Sequence, residues 1–103
     1  MRKNLESKHC ESLAALAEAQ LMLRHNSLVI DLASRLISVS PWNERGYELL
    51  MLALYRSGRQ TEALEAFMRI RALLAAEHGI DPQPQLRRLH LRMLEGDPEL
   101  STR

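Results

Sequence analysis

Slid along itself by 34 residues, this chain falls back into register, and no other property of the sequence restricts its fold as much. The shift lays Leu13 on Tyr47, Leu16 on Leu50, Ala17 on Met51 and Gln20 on Leu54. It then lays Arg24 on Gly58, Val29 on Ala63, Ala33 on Phe67 and Leu36 on Ile70. Within each copy the apolar positions recur at intervals of three and four, the spacing that gathers side chains on one helix face. A helix pair of this length cannot bury its apolar face alone and becomes stable by stacking on a neighbour, as in tetratricopeptide arrays. The predicted fold is therefore all-α: one domain over residues 1–103, a tetratricopeptide-like right-handed stack of about five antiparallel helices.

The second copy fits that repeat better than the first. Leu50, Leu54, Gly58, Ala63 and Phe67 supply its two large apolar residues, turn glycine, small close-contact residue and aromatic filler, whereas the first copy carries Arg24 at the glycine position. Helix formers dominate throughout, and no β-branched or aromatic alternation suggests a strand. Helices are expected over about 5–24, 27–39, 44–57, 60–78 and 84–95. Asn26 or Ser27 would cap the second and Asn43 the third, while Pro84 suits a first helical turn. Pro41, Gly58, Gly79 and Gly96-Asp97-Pro98 mark the stops. The expected core takes Leu13, Leu16, Ala17, Gln20 and Leu23 from the first helix and Leu86, Leu89, His90, Met93 and Leu94 from the fifth. Residues 99–103 are expected to fray.

From Pro41 onward the sequence is more particular. ALYRSGRQTEAL and GIDPQPQLRRLH, within PWNERGYELLMLALYRSGRQTEALEAFMRIRALLAAEHGIDPQPQLRRLHLRMLEGDPEL, closely resemble the bacterial transcriptional activator domain of the Streptomyces antibiotic regulatory protein family. The resemblance implies a helical domain that follows a DNA-binding winged helix, contributes to dimer formation and helps activators engage promoters and RNA polymerase. No segment ahead of the first helix has room for a winged helix. Two readings stay open: a fragment of a larger activator, or a stand-alone adaptor that pairs with full-length regulators.

Other function classes find little support. A formal net charge of +1 gives no broad field for gathering phosphates. The single cysteine, Cys10, excludes an internal disulfide and a cysteine zinc cluster. His9, Cys10 and Glu11 point in different directions on a helix, so no metal is expected. The longest apolar run, Leu49 to Tyr55, is too short to cross a bilayer, and the expected compartment is the cytoplasm. No nucleophile motif or paired acids suggest an enzyme, and no cofactor is expected.

One glycine between Arg56 and Arg59 makes a helix joint, not a phosphate loop, which needs several glycines and usually a lysine. Arg87, Arg88 and Arg92 form the most basic surface, with Arg69 and Arg71 placed to lie near it. That surface carries the alternative of weak direct nucleic-acid binding. The stronger expectation is a protein partner on the inner helices: Glu11, Ala14, Glu18 and Met22 in the first copy, and Arg45, Glu48, Leu52, Tyr55 and Arg56 in the second. Leu52 and Tyr55 beside Arg56 have the composition of an interface anchor. The same residues would equally serve to pack beneath the fifth helix.

Overall fold

The computed structural model describes residues 2–102, with side chains over residues 7–101. Six helices follow in order: α1 (Arg2–Met22), α2 (Asn26–Val39), α3 (Glu44–Arg56), α4 (Gln60–His78), α5 (Pro84–Leu94) and α6 (Glu99–Thr102). Among the described residues there is no strand. Successive helices pack as antiparallel neighbours from α1 to α4, and α1 also lies against α3. This is the tetratricopeptide-like stack, with α5 resting on α3 and α4 and α6 on α3.

Local chemistry sets each joint. The Asn43 Oδ1 accepts from the Gly46 N–H at 3.1 Å and so caps α3. A methyl group on Gly46 would lie 3.1 Å from the Ile37 Cγ1 and 3.3 Å from the Leu36 Cδ2. The bare backbone therefore lets the start of α3 press against α2. Between α3 and α4, Gly58 takes φ 80°, its N–H donates to the Tyr55 carbonyl at 3.1 Å, and the Arg59 N–H donates to the Leu54 carbonyl at 2.8 Å. The first copy repeats both of these bonds. Arg24 takes φ 63°, its N–H donates to the Leu21 carbonyl at 3.0 Å, and the His25 N–H donates to the Gln20 carbonyl at 3.0 Å. Both are helix-ending motifs that require a left-handed residue, a conformation costing a side-chain-bearing residue about 1–2 kcal/mol.

That turn also moves the expected cap of α2. His25, not Asn26 or Ser27, occupies the cap position, and its Nδ1 lies 2.7 Å from the Gln20 Oε1. Asn26 falls inside the first helical turn, where its Oδ1 is buried without a hydrogen-bond partner among the described residues.

The core runs through the middle of the stack. Val29, Leu36, Leu49, Met51 and Ile70 are fully enclosed, each such side chain contributing about 1.5–3 kcal/mol of burial. Leu13 and Ala17 join them from α1, but Leu16 stays 47% exposed and Leu23 is exposed too, against expectation. These two leucines lie at the end of the stack, where α1 has α2 and α3 for neighbours and nothing beyond them among the described residues. Leu94 is likewise exposed, because α5 buries only the stripe Leu86, Leu89 and Met93.

Residues 99–102 are not frayed. They form α6, which places Leu100 at 3% exposure against the rest of the core. The sequence signal for this helix is Asp97-Pro98-Glu99, an aspartate cap followed by a proline in first-turn position. The Asp97 Oδ1 accepts from the Glu99 N–H at 3.0 Å, and its Oδ2 accepts from the Arg92 Nε at 2.8 Å. These two donors, the guanidinium first, hold the Asp97 carboxyl below the usual carboxylate range.

Candidate functional site

The inner faces of α1 and α3 meet on one side of the stack, and a chain of charged groups runs across them. Arg45 on α3 donates from Nε to the Glu18 Oε2 of α1 at 2.8 Å and from Nη1 to the Glu48 Oε1 at 2.7 Å. Partial burial pulls the Arg45 pKa down, but the Glu48 and Glu18 carboxylates outweigh it and the pKa is raised. Glu48 in turn accepts from the Gln85 Nε2 of α5 at 3.1 and 3.2 Å. The Gln83 N–H donates to the Glu44 Oε1 at 2.7 Å, which fixes the proline elbow onto the start of α3. Arg45 and Glu48, both expected to meet a partner, are thus already joined to each other and to neighbouring helices.

Beyond this tie the surface opens into a cleft of about 480 Å³ between α3, α5 and α6. Its apolar lining is Leu52, Leu89 and Leu100, and its charged lining is Glu48, Arg56, Arg88, Arg92 and Glu99. Arg56 stretches along one wall and donates from Nε to the Leu100 carbonyl at 2.6 Å. Burial and then the charge of nearby Arg24 lower its pKa, so the guanidinium sits in surroundings that disfavour its charge. Arg56 also borders a second hollow with Leu21, Met22 and Arg24, and Met22 there is 85% exposed.

The expected residues divide accordingly. Leu52 and Arg56 line the cleft, and Met22 lies just past Arg56. Tyr55 does not: at 6% exposure it belongs to the core, because α3 is covered on several sides and the Tyr55 ring points inward. The expected basic surface also separates. Arg88 and Arg92 face the cleft, whereas Arg87 faces the other side of α5 together with Arg71, His90 and Leu91. Arg69 lies farther off, on a surface with Arg59, Glu62 and Glu65. Gln85, Glu99 and Leu100, absent from the expected set, complete the cleft with the core residue Leu89; none of the three belongs to a repeat, so the repeat register is silent about them.

On the far side of α5, His90 stacks on Phe67 with ring centroids 3.9 Å apart and planes 6° from parallel. Burial, and secondarily the Arg71 charge, lower its pKa from the ordinary histidine value. No group of three or more His, Cys, Asp or Glu side chains suited to a metal occurs among the described residues. Among the described residues no helix is long and apolar enough to cross a membrane.

Comparison with known proteins places this arrangement. The chain is 51% identical over 77 residues to the regulatory protein AfsR of Streptomyces coelicolor, a match that covers 75% of the chain and 8% of AfsR. It is 39% identical over 95 residues to the regulatory protein DnrI of Streptomyces peucetius, covering 91% of the chain and 35% of DnrI. The solved structure of Mycobacterium tuberculosis EmbR in complex with a low affinity phosphopeptide matches with a TM-score of 0.83 at 33% identity, covering 98% of the chain and 28% of EmbR. The chain thus spans about a third or less of these proteins. The profile of the bacterial transcriptional activator domain matches residues 1–94, and with the helical stack it shows that the chain belongs to that family, the activator domain of Streptomyces antibiotic regulatory proteins and their relatives.

Proposed function

We propose that this activator domain works by association and performs no chemistry of its own. Its partner is another protein of transcription control: a second copy of the domain, a full-length regulator of the family, or RNA polymerase. The observation that carries this reading is the cleft beside α3, where three arginines surround an apolar floor of leucines; arginine is among the residue types that carry most of the binding energy at protein interfaces. The phosphopeptide held by EmbR, a structural neighbour, supports a protein partner for this chain as well. Such a partner is met in the cytoplasm.

Direct reading of DNA is not assigned to this domain. The arginines of α5 are divided between two faces, and Arg92 is already engaged by Asp97. Sedimentation of the purified domain over a range of concentrations, with pull-down against purified RNA polymerase and against a full-length regulator of the family, tests the reading. Association in at least one of these assays is expected; a monomer that retains neither partner overturns it. Retardation of promoter DNA at low salt, where phosphate contacts are strongest, would favour a nucleic-acid binder instead.

A further inference from the structure

We infer that the cleft between α3, α5 and α6 is a docking slot for a leucine flanked by acidic residues on another protein, and that residues 97–102 fill it as an internal stand-in. This deepens the association reading and rests on it. A helix of four residues has no stability of its own, since forming even one turn is unfavourable. The slot therefore orders α6, by enclosing Leu100 and drawing its carbonyl to Arg56.

The charges state what the slot accepts. Arg92 meets two carboxylates of the internal segment, Asp97 at 2.8 Å and Glu99 at 3.9 Å. Among the described residues Arg56 meets a neutral carbonyl and no carboxylate, although it is half-buried and pressed by the charge of Arg24. Arg88, also in the wall, forms no ion pair among the described residues. The one carboxylate of α3 in the cleft, Glu48, is occupied by Arg45 and Gln85. With Leu100 in place, about 480 Å³ of the cleft stays unfilled. A segment that brings a leucine to Leu52 and Leu89 and carboxylates to Arg56 and Arg88 matches these walls better than α6 does. Charge-assisted pairs of this kind are the stronger hydrogen bonds.

The partner segment and α6 then compete for one place. The probe is a fluorescent peptide with the sequence of residues 95–102, EGDPELST, titrated into the full chain and into Leu100→Ser and Leu100→Ala variants. If α6 fills the slot nine-tenths of the time, opening it tightens peptide binding about ten-fold. Adding Arg92→Glu to either opened variant should remove that gain, because the peptide carries the two carboxylates that Arg92 meets in α6, and a peptide with serine in place of leucine should bind neither. Circular dichroism identifies a variant that has lost its helices, in which case the milder Leu100→Ala decides. Equal affinity of the wild-type and opened chains overturns the proposal, as does equal binding of the leucine-free peptide. A domain that pairs with polymerase yet fails this test uses another face; one that discriminates the peptides yet finds neither polymerase nor regulator retains the slot but has a different partner.

Discussion

The two helix pairs share a register and a turn, yet they are not held alike. Leu16 and Leu50 occupy the same repeat position, but the first is 47% exposed and the second 8%. Ala15 and Leu49 are also equivalent, and Ala15 lies on the surface while Leu49 is fully enclosed. The cause is not in the repeat. Among the described residues α3 is flanked by every other helix, whereas α1 packs mainly against α2 and α3. A repeat position therefore specifies a direction around the helix axis, and the neighbours decide what that direction is worth.

The sharpest way to break this comparison is to truncate equivalent leucines. Leu50→Ala should cost about 2–5 kcal/mol in urea unfolding, and Leu16→Ala about 1 kcal/mol or less. Equal losses would mean that α1 is covered as fully as α3. The tie between the pairs is expected to matter less: Arg45→Ala should cost about 1 kcal/mol at low salt, since the group is partly exposed. That loss should shrink as salt is added, because screening weakens the Glu18–Arg45–Glu48 pairing in the parent chain.

The turns offer a test with opposite signs. Gly58→Ala should destabilise by about 1 kcal/mol, because its φ of 80° remains left-handed whatever room surrounds it. Arg24→Gly should stabilise by up to about 1 kcal/mol, by relieving the same conformation in the first copy and the charge pressing on Arg56. Thermal midpoints of the two variants, moving in opposite directions, would confirm that the turns are equivalent.

The smallest expected effect belongs to His90. Its folded-state pKa lies below the unfolded value, so its contribution is complete above about pH 6.5 and is lost as the pH falls through the folded pKa. Unfolding measured between pH 7 and pH 5 should show the decline, and His90→Phe, which keeps a ring on Phe67, should flatten it.

Much of the frame is legible in residue type and spacing. Gly58, Gly79, Asn43 and Pro84 perform the local tasks their chemistry suits, because caps and left-handed turns are decided within a few residues. The candidate site is less legible because its residues come together only after packing. Tyr55 reads as an inner-face anchor until the surrounding helices enclose it. Leu100 gives no periodic signal, since four residues are too few to show one, and Arg87 parts from Arg88 because a step of one residue turns the side chain about 100° around the helix.

The position of α3 has a further consequence, for cooperativity. Long repeat arrays melt from their ends because each unit leans only on the next. Here all five other helices touch one 13-residue segment, so losing α3 removes support from all of them at once. The amides of α3 should then exchange with deuterium only through global unfolding, while those of α6 exchange through brief local release. With α6 apart, the domain would keep the architecture of an array but open as a single unit.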